Sequence, residues 1–367
     1  MRKYNCYNLI LKALRFRALN VQTDIVLKEP HPIISVQDVC KQVNGNYLLK
    51  NISFSVYPKE VCGIIGHSGS GKTTLLRCLD FLDLPSSGKI SIAGFHNPAS
   101  LKAVSRQEFA KKVAYISQNY GLFSTKTVLE NITYPLQTLY KNMPLSEVRE
   151  KVHEMLHFLN LYHRKDAYPG SLSGGQRQKV AIARALICEP QVLLCDEITS
   201  ALDPRSTEDV VERLLHLNES MGITLVLVSH ELDVVKYICS HTVVLHNGGV
   251  EEFGETESLF LKSQSEITKE LFHEPSQKYS LLKSLANLSE NKEFLGLGFP
   301  KELAMRGIIS HIAKTGLASI NILSGNVYLF RNMPVGFLNI VLEGTRENRI
   351  KVKRLLIEQG VIVKEGE

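Results

Sequence analysis

The 367-residue sequence has no tryptophan, and none of its uninterrupted apolar runs approaches the roughly 18 residues needed to span a bilayer. The chain is therefore expected not to cross a membrane itself, although it could still bind a membrane partner. Cysteine is sparse and scattered. Cys6, Cys40, Cys62, Cys78, Cys188, Cys195 and Cys239 make an odd number with no C-x-x-C pair, which argues against a disulfide framework or a zinc site and suits a reducing cytoplasm. Several of them lie inside apolar runs, where a thiol behaves as a small hydrophobe. Excess charge is also scarce outside one end. Of the net +6, residues 1–29 carry +4 and the remainder is nearly neutral, so no general nucleic-acid-binding surface is expected. Sustained heptads are missing as well, which removes long coiled-coil insertions.

What is present is ordinary for a globular chain, 44% hydrophobic and 22% charged, with room for about two domains. One stretch organises the first of them. Gly66, His67, Ser68, Gly69, Ser70, Gly71, Lys72 and Thr73 fit G-x-x-x-x-G-K-[ST], the phosphate-cradling loop. Its four fixed positions recur by chance in about one chain in a hundred of this length. Context strengthens the match: the apolar run Val61–Ile65 before it reads as a buried strand. From Thr74 onward, apolar residues fall at helical spacing. Such a strand-to-helix turn aims backbone N–H groups at an anion. Lys72 would reach the β- and γ-phosphates of a nucleotide, and the Thr73 hydroxyl would bind Mg²⁺; the loop alone fits a kinase, a GTPase or a motor equally.

Further along, strands are expected at 33–36, 48–56, 89–93 and 113–117, the last running into Gln118. Residues 126–165 read as helical from the stripes Val128, Ile132, Leu136, Leu139 and Val148, Val152, Leu156, Leu159. Leu172-Ser173-Gly174-Gly175-Gln176 opens another helix, which Pro190 stops. Val192–Glu197 is an apolar strand ending in the paired carboxylates Asp196 and Glu197. Ser200-Ala201-Leu202-Asp203 leads into a helix with Pro204 in its first turn. The β-branched strand 223–228 delivers Ser229 and His230, and a hairpin at Asn247-Gly248-Gly249 closes the region. Repeated alternation of strand and helix implies an α/β domain with a mostly parallel sheet. After a polar stretch at 271–293, with a short Leu281–Leu288 stripe, the pattern is strand 294–299, helix 302–314, strand 317–330, strand 335–343, helix 345–359 and strand 361–364. This β-α-β-β-α-β order is ferredoxin-like, a small α+β module.

The phosphate loop, Gln118, LSGGQ at 172–176, Val192–Glu197, Ser200–Asp203 and His230 occur in the order found in ATP-binding cassettes, and residues 33–270 resemble the nucleotide-binding subunit of an ABC transporter. The resemblance implies a P-loop ABC ATPase domain at 33–270 with an α-helical subdomain at about 126–185. A linker at 271–293 and a ferredoxin- or ACT-like regulatory domain at 294–367 would follow. It implies that Thr73 binds Mg²⁺ directly and Asp196 through a water. Glu197 would act as general base, Gln118 would approach the metal and the water, and His230 would contact the γ-phosphate. The phosphate loop through Thr74, together with Asp203, belongs to the nucleotide site. Ser173, Gly174, Gly175 and Gln176 would close over the ATP held by a second copy of the chain, so that two chains sandwich two ATP molecules head-to-tail.

The flanking residues of Cys195–Asp203 and Ser229–Lys236, with the tail, resemble the ATP-binding subunit of bacterial methionine importers. That family implies integral membrane permease subunits, an extracytoplasmic substrate-binding protein and a peripheral place on the cytoplasmic face of the bacterial inner membrane. It also implies a tail that binds an amino-acid ligand and forms a dimer contact. A purely structural tail is the alternative, and Ala318–Asn321 is the first place to look for a ligand. One departure stands out. The family usually stacks an aromatic ring on adenine about 23 residues before the loop's first glycine, where this sequence has Val43; Tyr47 is the nearest aromatic. Residues 1–32 read either as a disordered tail or, through Leu9–Arg17, as a basic amphipathic helix on an anionic membrane surface. They lack the apolar core and cleavage site of a signal peptide.

Overall fold

The computed structural model describes residues 31–96, 103–199, 203–272 and 290–365. The expectations for residues 1–30, for the Leu281–Leu288 stripe and for Ser200–Leu202 fall outside these.

The strand residues build three sheets. The central one holds β3 (Val61–Ile65), β6 (Val113–Ile116), β7 (Val192–Asp196), β8 (Thr224–Val228), β9 (His241–His246) and β10 (Gly249–Glu255), in the order β10-β9-β3-β8-β7-β6. Its pairings are parallel except β9–β10. β3, β7 and β8 are buried along their whole length, as strands covered on both faces must be. Alternation along β7 divides the core. Val192 and Leu194 face one apolar cluster and Leu193 and Cys195 the other, so each face of the sheet seals a separate interior.

The first face is covered by α1 (Lys72–Leu79) and by a second sheet, which a reading of simple strand–helix alternation does not anticipate. β1 (Ile34–Val43), β2 (Asn46–Val56), β4 (Ser87–Ile92) and β5 (Phe95–His96) pair antiparallel in the order β2-β1-β4-β5. Their inward residues Ile34, Val36, Ile52 and Phe54 meet Leu75, Leu76 and Leu79 of α1. The opposite face carries α3 (Val128–Leu139), α4 (Leu145–Phe158), α5 (Gly174–Leu186), α6 (Pro204–Met221) and α7 (Leu232–Ile238). The helical stretch is interrupted where Tyr140 caps α3 and Pro144 begins α4. α2 (Ala103–Lys112) precedes β6; it has no apolar stripe and leaves no periodic signal in the sequence. α8 (Thr256–Lys262) and α9 (Glu266–Phe272) follow β10. The six cysteines among the described residues are all free, and five of them are buried.

The C-terminal unit comprises β11 (Lys292–Phe299), α10 (Ile308–Ala313), β12 (Ser319–Phe330), β13 (Met333–Glu343), α11 (Arg346–Glu358) and β14 (Ile362–Glu365). Its strands pair antiparallel in the order β12-β13-β11-β14, the ferredoxin-like arrangement. α10 is shorter than the apolar spacing suggests. A 3₁₀ turn at 301–303 and Gly307, a poor helix former, hold its start back to Ile308. Among the described residues no helix is long and apolar enough to cross a membrane.

Candidate nucleotide site

In sheet order β3, β8, β7 and β6 are neighbours and run parallel, so their carboxyl ends share one edge. β3 ends at the phosphate loop, β8 at His230, β7 at Asp196 and Glu197, and β6 at Gln118. Residues far apart in sequence therefore converge at the edge where open α/β sheets bind ligands.

The loop's shape depends on glycine. Gly66 has φ 149°, and a Cβ there would lie 2.2 Å from the Leu245 carbonyl oxygen. Gly71, at φ 103°, caps α1 against the Leu48 carbonyl. Lys72 is buried, and its Nζ donates to the carbonyls of Gly66 and His67 at 2.9 Å each, spanning the loop. Burial lowers its pKa, while Glu197 and Asp196 act in the opposite direction. The Ser70 hydroxyl is buried with no hydrogen-bond partner, whereas His67, Ser68 and Gly69 are exposed. Thr74 is half-buried in the first turn of α1.

The carboxylates occupy different settings. Asp196 is 4% exposed and accepts from Thr73 Oγ1 at 3.2 Å and Tyr115 Oη at 3.1 Å. Burial raises its pKa, and the two hydrogen bonds oppose that rise. Tyr115 is the residue that sequence reasoning missed, since within its strand it looks like another apolar position. Glu197 has a left-handed backbone at φ 48°, and its N–H donates to Val228 O at 3.0 Å. Such a conformation is uncommon for a residue with a side chain and tends to be kept at functional sites. His230 Nε2 lies 2.6 Å from Glu197 Oε1, and Gln118 Nε2 donates to Oε2 at 2.8 Å. Each carboxylate oxygen thus has its own side-chain partner, one from the end of β6 and one from the end of β8.

Away from this edge, Ser173 caps α5. Its hydroxyl accepts from Gln176 N–H at 3.3 Å, and Gln176 Oε1 accepts from Ser173 N–H at 3.1 Å, forming a capping box with Gly174 and Gly175 in the first turn. Asp203 caps α6 through its carboxylate alone, accepting from Ser206 N–H at 3.1 Å. Arg184 of α5 donates to the carbonyls of Tyr120 and Gly121 at 2.9 and 2.7 Å, tying the segment after Gln118 to the LSGGQ helix. At the β1–β2 hairpin both Val43 and Tyr47 are exposed. Between Leu49 and Tyr47 the pairing with β1 slips by one residue, leaving Leu48 bulged, so the alternation that turns Leu49 toward Gly71 does not carry through to Tyr47.

The ABC transporter family model matches residues 49–200, and the NIL domain model matches residues 294–365. A methionine import ATP-binding protein of Chlamydia pneumoniae is 64% identical over 340 residues, covering 92% of this chain and 99% of that protein. The chain belongs to the methionine import ATP-binding protein family. A more distant member, from Bacillus cereus, is 38% identical over 336 residues, covering 90% of this chain and 95% of its own length. Among solved structures, the dimeric post-hydrolysis state of the ATP-binding cassette MJ0796 bound to ADP and Pi is similar, with TM-score 0.57 and 32% identity. It covers 61% of this chain and 98% of that one. As in other ATP-binding cassettes, the family's chemistry is ATP hydrolysis.

Proposed function

We propose that this chain is the ATP-hydrolysing subunit of an importer that energises uptake of methionine, the L-form first and the D-form as a candidate second substrate, with the C-terminal domain sensing the intracellular substrate. The convergence of Gln118, Glu197 and His230 beside the phosphate loop carries the catalytic part of this reading. The loop's N–H groups and Lys72 neutralise the phosphates of bound ATP. Glu197 takes a proton from the attacking water, while Gln118 and His230 hold its carboxylate toward the reacting phosphate. Tyr47 supplies the adenine platform in place of Val43.

The oxygen donors of Thr73 and Asp196 suit Mg²⁺, a hard cation, and Gln118 is hydrogen-bonded to the adjacent Glu197. Among the described residues no group of three or more His, Cys, Asp or Glu gathers to hold an ion. Here an ion would complete its shell with phosphate oxygens and water. When bound it offsets charge on the β- and γ-phosphates.

Two copies assemble head-to-tail, each offering Ser173, Gly174, Gly175 and Gln176 to the ATP of the other. The capped N-terminus of a 13-residue helix is suited to an anion. Beside Gln118, a groove of about 390 Å³ lined by Gly121, Phe123, Tyr134, Thr138 and Arg184 offers the membrane permease an apolar seat. The other partner is an extracytoplasmic substrate-binding protein, which places this subunit on the cytoplasmic face of the membrane. On the tail, the edge strand β12 exposes Ile322, Val327 and Leu329, which supports pairing between two tails. Glu197→Gln tests the mechanism. ATP should still bind, turnover should fall about a hundredfold or more, and a two-chain closed form should accumulate on gel filtration with ATP. Normal turnover by this variant would refute the choice of base.

A further inference from the structure

The ATPase domain and the C-terminal domain meet at α7, the helix that begins two residues after His230. The contact depends on a β-bulge. Between Ile322 and Ser324 the register of β12 on β13 slips by one residue. Before the slip Ile320 lies opposite Leu342 and packs on the tail's own core. After it the alternation reverses, so that Tyr328 and Phe330 join the interior of the ATPase domain.

Tyr328 meets a buried cation there. Lys236 of α7 is 6% exposed, and its Nζ lies 4.1 Å from the centre of the Tyr328 ring and 5.1 Å from that of Phe260. Asp233 Oδ1 is 3.4 Å from the same amine. Phe260 in turn sits 5.2 Å from Tyr328 and 5.3 Å from Phe330, ring centre to ring centre. At the end of the helix, the Arg331 N–H in the β12–β13 turn donates to Tyr237 O at 2.9 Å, satisfying a carbonyl that the last turn leaves open. The inner face of α7 is locked by Val235 and Ile238, both fully buried. His230 is tied to this helix by a tight turn in which Ser229 Oγ accepts from the Glu231 N–H at 2.9 Å.

We infer that Lys236 and Tyr328 are positioning residues for ATP hydrolysis: the hairpin of the C-terminal domain grips α7 and through it holds His230 against Glu197. A lysine amine taken out of water is costly to strand away from the ring faces that receive it, so helix and hairpin shift together. The strand that grips α7 also carries Ser319 and Asn321 at its far, exposed end. An occupant bound there would act on the same strand that sets His230. The inference rests on the proposed role of His230 in holding the Glu197 carboxylate.

The test measures ATP turnover, KM for ATP and melting temperature of the full-length protein. Tyr328→Leu, which keeps the site apolar, should lower kcat about three- to tenfold and change KM less than twofold. Tyr328→Phe, which keeps the ring, should turn over like the wild type. Lys236→Met should match the leucine variant, and the double variant should be no slower than the slower single one. Lys236→Met carries the test should Tyr328→Leu fail to fold. Wild-type kcat in Lys236→Met or in a folded Tyr328→Leu, multiplying losses in the double variant, or an equal loss in Tyr328→Phe would overturn the inference. His230→Gln separates it from the reading of the site. A fully active His230→Gln removes both, and overturns this route even where Tyr328→Leu is slow. An inactive one beside a normal Tyr328→Leu removes only the grip.

Discussion

Asp196 and Glu197 are adjacent in the chain yet differ in every physical respect that matters to their chemistry. One ends a strand, is buried and takes its hydrogen bonds from hydroxyls; the other turns through a left-handed backbone and faces an amide and an imidazole. The pair itself is legible in the sequence as two acids after an apolar run. Its division of labour is less so, because Tyr115 comes from a neighbouring strand 81 residues away. Tyr115→Phe removes the hydroxyl that orients Asp196 and leaves the ring in place. A hydrogen bond to a charged group contributes about 1.5–3 kcal/mol. The Mg²⁺ concentration giving half-maximal ATPase activity should therefore rise about tenfold or more, with turnover at saturating Mg²⁺ within about twofold of wild type. A metal titration of the steady-state rate reads this directly.

At the scale of elements, the strand–loop–helix unit 61–79 was readable because everything it needs is contiguous: a strand, glycines and a helix start. Its dependence on distant backbone was not. Gly66 is required both by its positive φ and by the Leu245 carbonyl of β9, which comes 179 residues later. Gly66→Ala should leave the far-ultraviolet spectrum unchanged and weaken ATP binding about tenfold or more, measured with a fluorescent nucleotide, because the loop must move to admit a methyl group. Other elements show how periodicity can mislead. α2 has no apolar stripe, and α10 starts late at a glycine. The bulge in β12 reverses which side chains face the ATPase domain, and a strict period of two places Tyr328 on the wrong side of its sheet.

For the molecule as a whole, the C-terminal sheet is packed from both sides, by its own helices and by α8 and α9 of the ATPase domain. Lys364 on β14 lies in this second interface, near Lys269 and Glu266 of α9, and burial pulls its pKa down to about 8. Because the folded value is below the unfolded 10.5, the charged amine destabilises the fold fully below about pH 8, and the penalty fades as pH rises toward 10.5. Lys364→Met should accordingly raise the melting temperature by about a few degrees at pH 7. The gain should shrink between pH 8 and 10, followed by scanning calorimetry.

Phosphate chemistry and the β-α-β-β-α-β order could be read from the residues alone, because a nucleotide loop needs consecutive glycines and an amphipathic element repeats its pattern locally. The separate antiparallel sheet over α1, the closing of Gln118 and His230 on one glutamate, and the turning of Tyr328 toward Lys236 were settled by folding. Each depends on strand order, register or a bulge, and these are set by pairing between segments whose separation along the chain carries no local signal.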